Sequence, residues 1–382
     1  MSPRLHLALD NCFASKRWTA PADWMRIAAD LGVVAIEASA DNECDPLYTP
    51  PDALAAWIAA CRDASALTGV RVANLYSGHG TYTTLALGHP DPRVRDHIQH
   101  NWLERMIDTA AALGAGLGFY CHAFPQNVLA DPACYVEAES DLFARLAAIS
   151  QYAAGKGLHN LSVEQMYSPH QPPWTIAGAR RFMQEVYRLG APLYLTLDTG
   201  HQIGQRGYLR PGRAQVAAYV DTRRRGDSMP YLYLGPPPEP DFADENAVES
   251  ILESVEQRPY LFAEAGDGDP YAWLRALGRY APIIHLQQTD GHASAHRPFT
   301  VQYNETGIID GEKVLAALAE SYAQPQEPGL PPPCEDIYLT IEMFSGTAQY
   351  PSHIVDNLRE TVAYWRRFVP QDGMRLPSSL PH

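Results

Sequence analysis

The stretch NLSVEQMYSPHQPPWTIAGARRFMQEVYRLGAPLYLTLDTGH, residues 160–201, joins two short apolar runs through a segment with helical spacing, about residues 175–189. The first run, NLSVEQMY, ends near Glu164, and the second, PLYLTLDTGH, ends near Asp198. A strand, a helix and a second strand in this order predict two parallel strands, because the return crossing needs a helix. Each predicted strand also ends on a carboxylate, which an apolar strand does not need for its own stability.

The same alternation of strand and helix recurs along most of the chain. The predicted strands are RLHLALD (4–10), VVAIEAS (33–39), VRVANLYSG (70–78), LGFYCHAF (117–124), NLSVEQMY (160–167), PLYLTLDTGH (192–201), PIIHLQQTD (282–290) and DIYLTIEMF (336–344). The predicted helices cover about 22–32, 51–69, 92–114, 133–156, 175–189, 270–280, 311–322 and 351–368. Eight such units predict an α/β fold closed into a (β/α)₈ TIM barrel. No Gly-x-Gly-x-x-Gly turn follows the first strand, which disfavours an open doubly wound sheet.

Two segments interrupt the alternation. Residues from about 205 to 267 are too long for a strand-to-helix loop, and we expect an insertion after strand 6 that contains a proline-rich hinge and a short helix. A proline-rich stretch at about 324–333 is expected to be a surface loop. The predicted organisation is one barrel domain over residues 1–370, followed by a C-terminal tail at 371–382. The proline-rich segments could cover a substrate or a second subunit, so a homo-oligomer stays open.

Composition and charge exclude several classes of protein. The chain has 382 residues, of which 46% are apolar and 19% charged, as in a well-cored globular protein. Its formal net charge of −15 argues against a nucleic-acid partner and against an anionic membrane surface. Six cysteines without a Cys-x-x-Cys pair indicate a reducing compartment. The N-terminus lacks a signal core, and no apolar run is long enough to span a membrane, so we expect a cytoplasmic protein.

Polar side chains stand at the ends of four consecutive predicted strands: Glu164, Asp198, His285 and Glu342. In a barrel the carboxyl ends of the strands converge on one mouth. A lone ionised carboxylate in an apolar strand is unfavourable by several kcal/mol, whereas four such groups can share a divalent cation. A set of mostly oxygen ligands suits Mn²⁺, Mg²⁺ or Co²⁺ better than a structural zinc ion. Taken singly, each residue could instead be a helix cap, an ion-pair partner or a hydrogen-bonded core group.

At these strand ends the sequence resembles the xylose isomerase-like TIM-barrel superfamily of sugar and sugar-phosphate isomerases and epimerases, and its pattern is most similar to the ketose 3-epimerase branch. The family pattern has a glutamate on strand 5, an aspartate followed three residues later by a histidine on strand 6, a histidine on strand 7 and a glutamate on strand 8. Here these positions are Glu164, Asp198 with His201, His285 and Glu342.

The resemblance implies a role for each of these residues. Glu164, Asp198, His285 and Glu342 would bind a divalent metal ion, with Mn²⁺ the first expectation and Mg²⁺ or Co²⁺ as alternatives. Glu164 and Glu342 would also transfer protons as catalytic groups, and His201 would hold a small carbohydrate substrate.

The sequence offers several alternatives for further substrate contacts. The family has an arginine shortly after the strand-7 histidine, whereas Arg297 lies further along in this chain, and His292 or His296 could take its place. His122, near the end of the fourth predicted strand, is another candidate substrate contact.

The resemblance, together with these residues, implies a metal-dependent sugar or sugar-phosphate epimerase or isomerase. A cation that chelates a ketose carbonyl would acidify the adjacent C–H bond and stabilise an enediolate, from which one glutamate removes a proton and the other returns one. Return to the same carbon gives epimerisation, and return to the neighbouring carbon gives aldose–ketose isomerisation. The alternatives are a metal-dependent decarboxylase or lyase of an oxidised sugar acid, a metal-dependent endonuclease, and a non-catalytic sugar-binding protein.

Overall fold

The computed structural model describes residues 2–237 and 240–377. All eight predicted strands are present; β1 has its predicted length, and the others are shorter, in most cases because the last residues of the predicted stretch turn into the loops of the barrel mouth. The strands are β1 (Arg4–Asp10), β2 (Ala35–Ser39), β3 (Arg71–Tyr76), β4 (Gly116–Phe119), β5 (Leu161–Glu164), β6 (Tyr194–Asp198), β7 (Ile283–Leu286) and β8 (Asp336–Ile341).

The eight strands form a closed parallel barrel, as predicted. Each strand pairs with the next one in the chain, and β8 pairs with β1, which also pairs with β2. The register sets Asp198 on β6 level with His285 on β7. The (β/α)₈ TIM-barrel prediction is therefore confirmed.

Helices surround the barrel at the predicted places. The longer ones are Pro21–Asp30, Pro51–Thr68, Pro92–Ile98, Glu104–Leu113, Pro132–Gly155, Ile176–Leu189, Arg213–Arg225, Ala247–Gln257, Pro270–Leu277, Gly311–Ala323 and Pro351–Arg366. The predicted helix over 92–114 is divided by a π-helical turn at Gln99–Leu103. Within the described ranges, none of the helices has the length and apolar character needed to cross a membrane.

Local sequence explains where these helices begin and end. The helix Pro132–Gly155 starts at Asp131, whose carboxylate accepts hydrogen bonds from the N–H groups of Ala133 and Cys134, and proline at the first helical position needs no hydrogen bond there. The helix Pro51–Thr68 ends at Gly69, whose φ of 74° is readily adopted only without a Cβ.

The barrel interior changes in polarity from bottom to mouth. At the amino ends of the strands it holds the apolar cluster Ala8, Ala35, Ala73, Ile283 and Tyr338. Above this layer, Ser162 on β5 and Thr196 on β6 share a hydrogen bond of 2.9 Å. Acidic and histidine side chains follow at the carboxyl ends. The apolar layer thus closes the barrel below the charged groups. The main hydrophobic core lies between the strands and the helices.

The insertion between β6 and β7 contains two helices, Arg213–Arg225 and Ala247–Gln257, where the sequence predicted one short helix. The first was missed because its arginine run suggests a solvated loop, yet cations at a helix C-terminus are favoured by the helix dipole. It ends at Gly226, with φ of 73°. Residues 324–333 form a loop, as predicted.

The segment 371–382, predicted as a tail, starts as part of the sheet. Met374–Arg375 forms a ninth strand, β9, antiparallel to β1, and Leu376 is 4% exposed. The physical reason lies in β1, which pairs with β2 only at Leu9 and Asp10 and so leaves a free backbone edge at its start. The tail occupies that edge up to residue 377, and residues 378–382 lie outside the described part. The division into a barrel of 1–370 and a tail remains a prediction.

The packing of this last segment can be tested by stability. Leu376→Ala should lower the free energy of unfolding by about 2–3 kcal/mol, because it removes a buried leucine side chain next to β9. Arg375→Ala, on the exposed side of the same strand, is the control and should change it by less than about 1 kcal/mol. Urea unfolding followed by circular dichroism measures both, and equal stability of the two variants would contradict the docking of the segment.

Candidate active site

The carboxyl ends of β5 to β8 bring Glu164, Asp198, His285 and Glu342 together in the barrel mouth, each at most 5% exposed. His285 Nδ1 lies 3.2 Å from Glu164 Oε1 and 3.5 Å from Glu342 Oε2. Single ligand atoms of Glu164, Asp198 and His285 all lie within 4.8 Å of one another. The four residues singled out from the sequence therefore form one buried cluster.

The two carboxylate oxygens of Asp198 differ in their hydrogen bonds. Its Oδ1 accepts hydrogen bonds from the N–H groups of Gly200 at 2.6 Å and His201 at 2.9 Å, and from Gln287 Nε2 at 2.8 Å. Its buried Oδ2 has no hydrogen-bond partner among the described residues. Burial opposes ionisation, but the charges of His201, His296 and His285 outweigh it and lower the pKa of Asp198 to about 2. The carboxylate is thus ionised and has one oxygen available.

Glu164 is held by two tyrosines. The hydroxyl groups of Tyr76 and Tyr82 both donate to its Oε2, the latter at 2.7 Å. Its Oε1 faces His285 at 3.2 Å and His201 at 3.9 Å. Burial acts to raise the pKa of Glu164, and the nearby charges of His201 and His285 together bring it below its ordinary value. One oxygen of Glu164 therefore accepts two hydrogen bonds, and the other faces the cluster.

The carboxylate of Glu342 has fewer hydrogen-bond partners than that of Glu164. Its Oε2 lies 3.3 Å from His296 Nε2 and 3.5 Å from His285 Nδ1. Neither contact has hydrogen-bond geometry, and this oxygen has no hydrogen-bond partner within residues 2–237 and 240–377. A buried carboxylate oxygen without a donor is a strong proton acceptor or a cation ligand.

His201, the predicted substrate contact, lies at the edge of the cluster. It is 5% exposed, and its Nδ1 lies 2.8 Å from the carbonyl oxygen of Gln165. A carbonyl only accepts, so Nδ1 is the protonated nitrogen and Nε2 is left to contact other groups. The ring packs edge-on against Tyr167.

The loop after β7 brings His296 to the cluster, whereas Arg297 and His292 lie outside it. Arg297 forms an ion pair with Asp290 at 2.7 Å, and the His292 side chain beside Asp290 is 89% exposed. The isolated bridge between Gln288 and Arg297 fixes the path of this loop, so that Arg297 turns toward Asp290 instead of the mouth.

His296 is held from several sides. Its ring stacks on Phe344 with 4.0 Å between centroids, and its backbone N–H donates to Gln287 Oε1 at 2.6 Å. The backbone φ of 45° is uncommon for a residue with a Cβ, which indicates that the loop imposes this position. Burial would lower the pKa of His296, but Glu342, with Asp198 and Glu164, raises it to about 9.

His122 also lies outside the cluster. Its Nε2 contacts the carbonyl oxygen of Pro172, and its ring packs on Tyr120 with 4.8 Å between centroids. Complete burial lowers the pKa of His122 to about 4, so the ring is neutral. These contacts are those of a core histidine, and its predicted substrate contact stays untested.

Two acidic residues at this mouth were missed by the sequence reasoning. Glu37 on β2 lies 2.9 Å from His285 Nε2, and Asp10 ends β1 next to it. Both are at most 2% exposed. The signal that identified Glu164 and Glu342, a carboxylate within an apolar strand, is also present in AIEAS and LHLALD and could have found them.

The mouth as a whole carries an excess of acidic groups around one imidazole. Burial acts to lower the pKa of His285, but Glu342, Glu37 and Glu164 outweigh it and raise it well above its ordinary value. Burial, with the charges of Glu37 and Glu342, raises the pKa of Asp10 well above its ordinary value. Both shifts arise because acidic groups are crowded together, and a divalent cation would neutralise part of their charge.

The residues present fit a divalent cation. Asp198 Oδ2 and Glu342 Oε2 are buried acceptors without a donor in the described ranges, which is costly unless a cation satisfies them. With Glu164 and His285 they provide three carboxylates and one imidazole, a set that suits Mn²⁺, Mg²⁺ or Co²⁺. The cluster could therefore hold such an ion through the four residues predicted for it.

Comparison with known proteins agrees with this fold. Residues 25–366 match the sequence profile of the family described as xylose isomerase-like TIM barrel. This match spans most of the chain, and the protein belongs to that family.

Three relatives show how far the similarity extends. A D-erythrulose 1-phosphate 3-epimerase from Brucella abortus (strain 2308) is 25% identical over 303 residues, which are 78% of this chain and 75% of the relative. The structure of a candidate xylose isomerase from Rhodospirillum rubrum matches with a TM-score of 0.69 and 18% identity, covering 95% of this chain and 99% of that one. A D-allulose 3-epimerase from Methylomonas sp. matches with a TM-score of 0.52 and 18% identity, covering 99% and 94%. At these identities the structural matches establish the fold.

The pKa of His296 leads to a prediction for the cation-free protein. A histidine whose pKa is raised on folding stabilises the protein below its unfolded pKa of about 6.5, and this contribution is lost as the pH rises toward about 9. The loss is up to about 3 kcal/mol, since one pKa unit corresponds to about 1.36 kcal/mol. Urea unfolding at pH 6 and pH 9 in the presence of a chelator measures it.

His296→Gln should flatten this pH dependence, whereas His353→Gln, an exposed histidine on the helix Pro351–Arg366, should leave it unchanged. An equal loss of stability in wild type and His296→Gln between the two pH values would contradict the assignment.

Proposed function

We propose that the protein is a divalent-metal-dependent epimerase of a ketose or ketose phosphate, which inverts the carbon next to the carbonyl through an enediolate intermediate. The observation that carries the proposal is the pair of buried glutamates from different strands, Glu164 and Glu342, whose oxygens approach His285 Nδ1 at 3.2 and 3.5 Å. The relative from Brucella abortus is a D-erythrulose 1-phosphate 3-epimerase, which supports the reaction class and a phosphorylated ketose as a first substrate to test.

Glu164, Asp198, His285 and Glu342 would hold the metal ion in this proposal, and Mn²⁺ is the first candidate. When bound, the ion supplies positive charge that acidifies the C–H bond next to the carbonyl and stabilises the negative charge of the enediolate.

The two glutamates differ in a way that assigns their roles. Glu342 Oε2 has no hydrogen-bond partner among the described residues, so it is free to accept a proton, and we assign it the removal of the substrate proton. Glu164 Oε2 accepts from Tyr76 and Tyr82, which stabilise its ionised form. A Glu164 that carries a proton is therefore a ready donor to the opposite face of the substrate carbon. In the reverse reaction the two residues exchange roles.

The histidines of the cluster would hold substrate oxygens. His201 has Nε2 free because its Nδ1 is bound to the carbonyl of Gln165. His296 is cationic in the cation-free site and is fixed against Phe344, so it can donate to a substrate hydroxyl or phosphate oxygen. Their burial excludes water, which strengthens these contacts and protects the enediolate.

Proton transfer by the glutamates can be measured directly. With Mn²⁺ and D-erythrulose 1-phosphate in D₂O, deuterium should enter carbon 3, and Glu342→Gln should reduce turnover by about 100- to 10,000-fold, because it removes the base. NMR and mass spectrometry follow the label. Glu312→Gln, on the outer helix Gly311–Ala323, is the control.

The same experiment separates the alternatives. With ketoses that have a free hydroxyl on carbon 1, label at that carbon would indicate aldose–ketose isomerisation, and CO₂ release from oxidised sugar acids would indicate a decarboxylase. Absence of exchange with a panel of ketoses, ketose phosphates and 3-oxo sugar acids would refute proton transfer by this site.

Metal binding is a separate prediction. Protein stripped with a chelator should take up about one Mn²⁺ per chain, and Asp198→Asn should weaken the affinity at least 10-fold, because it removes the charge of an unpaired buried oxygen. Calorimetry and elemental analysis measure this, with Asp290→Asn as a matched control outside the cluster. Equal affinity of Asp198→Asn and wild type would contradict the ligand set.

A further inference from the structure

We propose that Glu37 is a positioning residue that selects the ring orientation and tautomer of His285, so that Nδ1 faces Glu164, Asp198 and Glu342. This inference rests on the proposed metal site. It gives a function to a buried carboxylate on β2, across the barrel from the four predicted ligands.

The contacts of His285 divide cleanly between its two ring nitrogens. Nε2 lies 2.9 Å from Glu37 Oε2, and Nδ1 lies 3.2 Å from Glu164 Oε1. The imidazole is fully buried, and Tyr76 packs edge-on against it with 4.7 Å between centroids. The ring can therefore present only one nitrogen to the cluster, and a 180° rotation would exchange the two.

The side chain of Glu37 is held in one position by contacts to both of its oxygens. Its Oε1 accepts from Asn74 Nδ2 at 2.5 Å, and the same amide donates to the carbonyl oxygen of Leu75 at 2.8 Å. With Oε2 against His285, both of its oxygens are occupied, and the residue is 1% exposed. β3 thus fixes Glu37 through Asn74, and Glu37 in turn fixes the imidazole.

These contacts select which ring nitrogen of His285 carries the proton. A metal-binding histidine needs a lone pair on the ligating nitrogen and a proton on the other. A carboxylate can only accept, so Glu37 requires the proton on Nε2 and leaves Nδ1 as the ligand atom. A glutamine at this position could also donate, which would permit the opposite tautomer.

Asp10 provides the competing explanation. Asp10, Glu37 and His285 offer ligand atoms within 4.8 Å of one another, so a cation could in principle lie on this side of the ring. Such a cation would require a lone pair on Nε2, which the contact with Glu37 opposes. Asp10 Oδ1 is also occupied, since it accepts from the N–H of Cys12 at 2.6 Å.

The test compares Glu37→Gln with wild type in the full-length protein. Mn²⁺ affinity measured by calorimetry should fall about 10- to 100-fold, the range found when a carboxylate behind a ligating histidine is removed. In protein with ¹⁵N-labelled histidine and bound Mg²⁺, two-bond ¹H–¹⁵N spectra should show His285 protonated at Nε2 in wild type and at either nitrogen in Glu37→Gln. Asp10→Asn is the matched control and should retain the wild-type tautomer.

Each outcome decides the proposal. Unchanged affinity and tautomer in Glu37→Gln would overturn it, and Nδ1 protonation in the metal-bound wild type would favour a cation beside Asp10 instead. If Glu37→Gln does not fold, Asn74→Ser, which removes the amide that donates to Glu37 Oε1 and to the carbonyl oxygen of Leu75, should show a smaller change in the same direction; no change would overturn the proposal.

A failure of the proposed function can be recognised separately. If wild type binds no divalent cation, the metal site is wrong, and crystal structures of the cation-free proteins then decide the positioning role. An unaltered His285 ring in Glu37→Gln would refute it, and a rotated ring would support it.

Discussion

The barrel mouth depends on one constraint: several buried acidic groups must share a space around a single imidazole. Glu37, Glu164 and Glu342 all contact His285 within 3.5 Å, and none is more than 5% exposed. Ionised carboxylates out of water are tolerated only when cations, protons or donors balance them. The tyrosine and asparagine donors, the raised pKa of His285 and the proposed divalent ion all meet this one requirement. The site is therefore a charge-balanced unit, in which no carboxylate can be understood alone.

The layered barrel interior separates stability from chemistry. Small and apolar side chains close the bottom, Ser162 and Thr196 form an intermediate hydroxyl layer, and charge is concentrated at the carboxyl ends. The apolar cluster stabilises the fold through hydrophobic burial. In the mouth, the repulsion among buried carboxylates is unfavourable, and it would be relieved by a bound cation.

The fold and four members of the cluster followed from the sequence, because strand–helix alternation and a carboxylate in an apolar strand are local signals. Side-chain direction in loops is a tertiary property, and the sequence therefore offered Arg297, His292 and His296 equally. The ion pair of Arg297 with Asp290 and the left-handed backbone of His296 determine which of these side chains lies beside the cluster, and their roles as substrate contacts stay predictions. Glu37 carried the same local signal as Glu164. Its link to His285 could not be seen, since the two residues are 248 positions apart and meet only across the closed barrel.

The short strand β9 joins the two ends of the chain at the bottom of the barrel, and this has a consequence for how the protein forms. Arg4 pairs with Asp336, 332 residues later, and with Arg375 on its other side. The backbone of β1 is therefore fully paired only when β8 and β9 are in place. Contacts of such large sequence separation carry a high loop-closure entropy, which is lost before the contacts stabilise the fold. Closure of the barrel is thus its most non-local contact, and the groups of the charged mouth come together only in the closed barrel.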